Sequence, residues 1–348
     1  MVGTTFKVAA LCMMLPVAAG AADADWAKVA DALGKPGTEM AGGVYRVGLP
    51  RTDLHVKLDG VDIKPTLALG SWLAFQGKGD MTMVMGDLVL TEEEVGPVMK
   101  KLSESGIEIT ALHNHLLRAQ PSTLYMHVLG HGDPAKLAAA LHGGLALSKT
   151  PLGNATASVS SQPPATGSNQ SAGSGASAAA GNPQAPLAGS EQPARSGPGT
   201  ATGSSQALLP GSEQPARLDL DTAMIDQVLG AKGKAVGGVY QVGIPRAETI
   251  KDGDMEVPVA MGSAEALNFQ PTGGGKAAIT GDFVLTAQEV NPVLRALREN
   301  GIEVTAVHNH MLDDQPRLFF MHFWANDDAA KLAKGLRAAL DKVNVARS

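Results

Sequence analysis

Gly106-Ile-Glu-Ile-Thr-Ala-Leu-His-Asn-His115 returns in the second half of the chain as Gly301-Ile-Glu-Val-Thr-Ala-Val-His-Asn-His310. Tyr125-Met126-His127 likewise returns as Phe320-Met321-His322, so all three histidines of one half recur in the other at an offset of 195 residues. His55, His131 and His142 have no such counterpart. Each decapeptide opens on the glycine expected just past a helix C-terminus and then alternates as a strand does. On that alternation Ile107, Ile109, Ala111, His113 and His115 share one face, and Glu108, Glu303, Asn114 and Asn309 project from the other. A duplicated domain built around a histidine triplet is the consequence.

Outward from this block the two halves keep the same order. A short helix (Trp26 to Leu33; Thr222 to Leu229) precedes Gly-Gly-Val-Tyr-x-Val-Gly-[Leu/Ile]-Pro-Arg at 42–51 and 237–246, a strand ended by proline. Two weaker strand-like runs follow. Gly-Asp-[Leu/Phe]-Val-Leu-Thr at 86–91 and 281–286 then runs into a helix whose Thr91-x-x-Glu94 or Thr286-x-x-Glu289 fits a capping box. Pro97 and Pro292 stand too late for a first helical position, which points to a second helix start near Gly96 or Asn291. After the histidine strand, a loop carrying Gln120-Pro121 or Gln315-Pro316 leads to a second strand, and a last helix begins near Asp133 or Asp327. The C-terminal part of each repeat therefore reads β-α-β-β-α. The predicted fold is α+β, two tandem homologous α/β sandwich domains at 22–150 and 218–348.

Residues 151–217 are Gly, Ser, Ala, Pro and Gln with few large apolar side chains, a composition too poor in burial to offset chain entropy, and they read as a disordered linker. At the start, one Lys, an apolar run from Val8 to Ala22 and the small-residue pattern Ala19-Gly20-Ala21 read as a signal peptide over 1–21. The apolar run is shorter than the roughly 20 residues of a membrane helix, so an exported chain, periplasmic or extracellular, without a membrane-spanning segment is expected. The single cysteine, Cys12, lies inside that run. A chain with 34 acidic and 28 basic side chains and no basic block is a poor partner for nucleic acid.

Residues i and i+2 of a strand point the same way, so His113 and His115 present two imidazoles to one side, with His127 opposite them on the following strand. His308, His310 and His322 do the same in the second repeat. Three nitrogens converging in this way fit an open metal site in each repeat, with Asp87 or Asp282 as the candidate fourth ligand. A divalent metal is expected, Zn foremost and Cu, Mn or Fe compatible with the same donors. Metal-assisted hydrolysis is one use of such a site. A cell-envelope module that binds a small molecule or envelope ligand without metal is the other reading. Arg51 and Arg246 are candidates to clamp an anion, with Tyr45, Tyr240, Gln120 and Gln315 as further ligand-binding candidates.

The Gly-Gly-Val-Tyr, Gly-Asp-x-Val-Leu-Thr, Gly-Ile-Glu-x-Thr-Ala-x-His-Asn-His and Met-His blocks resemble the LppY/LpqO-type family of exported lipoproteins over both halves. The resemblance implies export and a tandem architecture, and assigns no activity. Cys12 lacks the small residue that a lipobox places immediately before its cysteine. His-Asn-His is not the HNH nuclease motif, whose residues are dispersed over a ββα unit, and the Glu and Pro-x-Gly turn of a cupin are missing.

Overall fold

A computed structural model of the chain describes residues 25–152 and 218–346. The signal peptide expected at 1–21 and nearly all of the linker expected at 151–217 lie outside the described residues. Repeat 1 opens with α1 (Trp26–Leu33), β1 (Thr38–Met40) and β2 (Val44–Pro50). A projecting arm follows, made of β3 (Val56–Leu58), β4 (Val61–Ile63) and the short α2 (Pro65–Ala68). Then come β5 (Gly70–Gln76), β6 (Thr82–Thr91), α3 (Glu92–Glu104), β7 (Glu108–His113), β8 (Thr123–Gly132) and α4 (Pro134–Leu145).

Repeat 2 retraces this path with α5 (Thr222–Leu229), β9 (Lys234–Val236) and β10 (Val239–Pro245). Its arm holds β11 (Lys251–Asp252), β12 (Met255–Glu256) and a 3₁₀ turn at Val259–Met261. β13 (Ala264–Gly273), β14 (Lys276–Thr286), α6 (Ala287–Glu299), β15 (Glu303–His308), β16 (Asp314–Gln315), β17 (Leu318–Asp328) and α7 (Ala329–Leu340) complete it. The strand orders are β1-β2-β5-β6-β8-β7 and β9-β10-β13-β14-β17-β15, antiparallel throughout.

Local chemistry fixes the element ends. Asp25, Asp133, Asp221 and Asp328 cap α1, α4, α5 and α7 by accepting from the backbone N–H three residues on. Glu94 accepts from the Thr91 N–H at 2.9 Å and Glu289 from the Thr286 N–H at 2.7 Å, the reciprocal half of a capping box. Gly106 and Gly301 end α3 and α6 with φ of 80° and 74°, where a side chain would be strained. No second start occurs at Gly96 or Asn291. Both helices run unbroken through Pro97 and Pro292, carried by the packing of Val98 and Leu102, or Val293 and Leu297, against the sheet.

In each repeat the helices cover one face of the sheet. Leu73, Phe75, Val84, Leu88, Met126 and Val128 meet α1, α3 and α4 in one core, and Leu267, Phe269, Ile279, Phe283, Met321 and Phe323 meet α5, α6 and α7 in the other. The opposite faces are also buried, because the repeats cover each other. Met83, Met85 and Leu129 of sheet 1 pack with Ile250, Val257 and Met261 from the arm of repeat 2. Reciprocally, Val56, Ile63 and Leu67 from the arm of repeat 1 pack with Val239, Ala278 and Trp324 of sheet 2. Both repeats thus fall within one compact unit.

The predicted facing of the histidine strand needs correction. Ile109 stands opposite Val128, but Ala111, two residues on, stands opposite His127, the very next residue back along β8. Thr110 is therefore an extra residue, a β-bulge that inverts the alternation. Ile107 and Ile109 pack with the helix-side core, while His113 faces the other repeat. The same bulge occurs at Thr305, between Val304 opposite Phe323 and Ala306 opposite His322.

Candidate metal centre

Beyond the bulge, one row of side chains crosses each sheet on the face turned to the other repeat. In sheet 1 the row is Gly48, Trp72, Asp87, His127 and Ala111, each opposite the next in register. In sheet 2 it is Gly243, Ala266, Asp282, His322 and Ala306. His113 and His308 close β7 and β15, and His115 and His310 follow two residues later. His115 lies flat on Tyr125 and His310 flat on Phe320, at centroid separations of 3.5 Å and 3.3 Å, so an aromatic on the neighbouring strand orients each ring.

The six predicted histidines form one cluster. His113 stacks on His308 at 3.5 Å, His115 packs on His322 at 3.5 Å, and His127 on His310 at 3.7 Å. Every one of these pairs joins the two repeats, and the pairings obey a pseudo-twofold axis that exchanges the halves. The repeat spacing predicts a separate triplet in each half; the structure interleaves the two. The peptide between the histidines ties the halves together: Thr110 Oγ1 donates to the His310 carbonyl at 2.6 Å, and Asn309 Nδ2 to the Thr110 carbonyl at 3.0 Å.

Two Asp-His-His sets related by the repeat emerge, each with donor atoms within 4.8 Å of one another: Asp87, His115 and His127; Asp282, His310 and His322. Two further groupings at the same spacing mix the repeats, namely His113, His115, His308 and His322, and His127, His308 and His310. Half of the cluster is fully buried, with His127 at 3%, His310 at 6% and His322 at 1% exposure, and His113, His115 and His308 are half-buried.

Burial on this scale calls for hydrogen-bond partners. Instead, both ring nitrogens of His113, Nε2 of His115, His127 and His310, and Oδ1 of Asp87 and Asp282 are buried without a hydrogen-bond partner. Such groups cost about 1 to 3 kcal/mol apiece when left unmatched. At His308 and His322 the conflict is sharper. Nδ1 of His308 lies 2.9 Å from the Asn309 carbonyl, and Nδ1 of His322 lies 2.9 Å from the Gly281 carbonyl. Carbonyls only accept, so both Nδ1 atoms carry the proton. Their Nε2 atoms nevertheless face each other at 2.8 Å. Two lone pairs at that distance repel, and a proton or a cation must lie between them.

The charge states follow from burial. His113, His115, His127 and His310 are held well below the ordinary imidazole range by desolvation, reinforced by their histidine neighbours. His308 is lowered to about 4 by the same causes. For His322 burial acts downward, but the Asp282 carboxylate outweighs it and raises the ring. Oδ1 of Asp282 lies 2.8 Å from Nδ1 of His322, although the ring N–H aligns on the Gly281 carbonyl and leaves that oxygen without an aligned donor. Asp87 is pushed up to about 8 by burial and by the charge of Asp282. Apart from His322, which Asp282 draws toward its charged form, the cluster thus holds neutral imidazoles at neutral pH, the form that binds metal.

The other expected ligand-binding residues lie elsewhere. Arg51 donates all five of its N–H groups within the protein, to Asp53, Glu94 and the Val89 carbonyl at 2.7–3.1 Å. Arg246 does the same with Glu248, Glu289 and the Val284 carbonyl at 2.5–3.2 Å. A guanidinium has five donors, so neither has one left to clamp a ligand. Tyr45 and Tyr240 sit in the helix-side cores, their hydroxyls accepting from Gly37 N and Gly233 N. Gln120 and Gln315 are exposed, the first in an isolated bridge to Lys57 and the second in β16, paired with Lys251 of β11. Glu303 is engaged by Arg118, which also binds Asp59 and so clasps the repeats.

The structural role of Arg51 has a measurable consequence. Its side chain is fully buried, and Arg51→Ala leaves Glu94 short of its cation, so the chain should lose roughly 3–5 kcal/mol of unfolding free energy by urea titration. Loss of ligand binding at unchanged stability would contradict that role.

Sequence reading missed Arg46 and Trp72. Arg46 lies over the Trp72 ring, 4.1 Å from its centroid, and donates to the Ala260 carbonyl of repeat 2. The signal was present as the one unmatched position in Tyr-x-Val-Gly: Arg46 in repeat 1, Gln241 in repeat 2.

Comparison with known proteins gives a family and no activity. The family described as Domain of Unknown Function (DUF1259) matches residues 27–147 and again 223–342, and the chain belongs to it, in two copies. No curated protein matches the chain. Among solved structures, a trimeric bacterial microcompartment shell protein, PduB, aligns over 87% of this chain and 88% of its own at 9% identity, with a TM-score of 0.17, too low to bear on the fold.

Proposed function

We propose that this two-copy member of the DUF1259 family is a metalloprotein whose repeats close around one centre for two divalent ions. One ion is held by Asp87, His115 and His127, the other by Asp282, His310 and His322, with His113 and His308 stacked between them. The observation that carries this reading is the set of buried ring nitrogens and carboxylate oxygens with no hydrogen-bond partner, together with the opposed Nε2 atoms of His308 and His322. An ion in each Asp-His-His set satisfies the unpartnered atoms of Asp87, His115, His127, Asp282 and His310, and a proton or an ion fills the gap between His308 and His322.

Three donors of this kind leave coordination positions open for a small ligand. Zn is the first candidate for a nitrogen-and-oxygen donor set, and Cu, Mn and Fe suit the same ligands. Such an ion polarises a bound ligand or activates water, the chemistry of metal-assisted hydrolysis. The burial of the centre restricts its ligands to small molecules. The Gly281 carbonyl holds the tautomer of His322, as backbone acceptors do behind metal-binding imidazoles, and the Asn309 carbonyl does the same for the neighbouring His308. Export, and kinship with the LppY/LpqO-type exported lipoproteins, remain part of this proposal and rest on the leader-like sequence and the shared motifs.

Elemental analysis of protein purified without a nickel column tests the reading. Two ions per chain are expected, with loss of both in the H127A/H322A double variant. A wild-type chain that holds no metal and takes up none of Zn, Cu, Mn or Fe on titration would overturn it and favour a metal-free ligand-binding module.

A further inference from the structure

The two halves of the centre differ at one corner. Arg46 and Trp72 lie on the face of sheet 1 that bears Asp87, with Trp72 directly opposite Asp87 in register. At the corresponding places sheet 2 carries Gln241 and, opposite Asp282, Ala266. Adjacent strands are about 4.8 Å apart, so β2 and β6 are separated by about 10 Å, a gap that a long side chain leaning across Trp72 largely spans. The turn of repeat 2 at Val259–Gly262 frames the far side, with Gly262 against the Trp72 ring and the Ala260 carbonyl on the guanidinium.

Arg46, half-buried, is also chemically unlike the buried arginines Arg51 and Arg246. Arg51 and Arg246 each bind two carboxylates with every N–H in use. Arg46 donates to a single described partner, a neutral carbonyl. Its burial is deep enough to lower it to about 10, with the Asp87 charge acting in the opposite direction. Asp87 is the carboxylate on the same sheet face whose charge acts on Arg46, and a divalent ion at Asp87, His115 and His127 would engage that carboxylate and leave the guanidinium without an anionic partner. The imidazoles are neutral, so the loaded half would carry one net positive charge on the metal site and another on Arg46.

We propose that the repeat 1 half of the centre takes a small anion, a carboxylate or phosphate, bound between the ion at Asp87 and the guanidinium of Arg46, and that the repeat 2 half does not. This rests on the metal reading above. The planar guanidinium suits two-point contact with such an oxyanion, and Trp72 beneath it holds its plane.

The test uses the full chain loaded with Co²⁺, titrated with inorganic phosphate and separately with acetate, and followed by visible absorption. Wild type should show a saturable spectral change. R46Q, which installs the residue repeat 2 carries, should form the same Co²⁺ spectrum without anion and bind the anion about 10- to 100-fold more weakly, the worth of a charge-assisted hydrogen bond. R46K, which keeps the charge and loses the fork, should fall between them and serves if R46Q does not load. A normal Co²⁺ spectrum that no anion perturbs, or equal anion affinity in wild type and the Arg46 variants, would overturn the anion site while leaving the metal centre standing. Absence of any Co²⁺ spectrum in wild type would overturn the metal reading itself.

Discussion

Saturating Zn²⁺ should raise the melting temperature of the full chain by about 10 °C over the chelated protein. A ligand present at a hundredfold excess over its dissociation constant stabilises the native state by about 2.7 kcal/mol, so two sites together give about 5 kcal/mol. For a cooperative unit of this size each kcal/mol moves the midpoint by about 2 °C. The repeats share two of their buried clusters, so they should melt as one unit and both sites should act on the same transition. Differential scanning calorimetry with and without chelator reads the shift. It should vanish in H127A/H322A, which removes one ligand from each set. A midpoint indifferent to metal would contradict a centre in which the ions satisfy the buried nitrogens.

Acid should destabilise the metal-free protein well before ordinary carboxylate titration begins. His113, His115, His127, His308 and His310 are depressed in the folded chain, so as pH falls below about 6.5 the unfolded chain takes up protons that the native cluster refuses. Stability from these groups is present above the unfolded value and is lost as pH drops toward about 4, where His308 accepts a proton in the native state. Asp87 and Glu265 act in the opposite sense. Both are raised chiefly by burial, stay protonated in the native state, and favour folding as pH falls toward the unfolded carboxylate range. His322 is raised as well, and its contribution is complete below about 6.5 and disappears at higher pH. The balance is about three protons taken up on unfolding, a slope of roughly 4 kcal/mol per pH unit in the steep part of the window. Urea midpoints measured from pH 7.5 down to 5 on chelated protein should fall steeply below about 6.5. A flat profile there would contradict a cluster of buried neutral imidazoles.

Much of this architecture was written in the sequence. The duplicated blocks gave both repeats their β-α-β-β-α order, and Asp25, Thr91, Gly106 and their counterparts marked helix ends through local hydrogen bonding that needs no knowledge of the tertiary fold. What escaped was long-range. The bulge at Thr110 adds one residue against β8, and Gly-Ile-Glu-Ile-Thr-Ala-Leu-His alternates as cleanly as an unbulged strand, so Ile107 and His113 read as neighbours on one face. The interleaving of the triplets depends on which sheet faces meet, and an offset of 195 residues is the same whether the repeats stand apart or interlock. Arg51 misled for a related reason. A shared arginine at a strand end reads alike as an anion clamp and as the hub of a buried ion-pair network, and its carboxylate Glu94 was already explained by the capping box it also completes.

Anomalous X-ray scattering from crystals of the Zn-loaded full chain, recorded on both sides of the zinc edge, tests the central claim most directly. The account predicts two peaks, one among Asp87, His115 and His127 and one among Asp282, His310 and His322. Crystals grown in saturating Zn²⁺ that show no peak within the histidine cluster would contradict it.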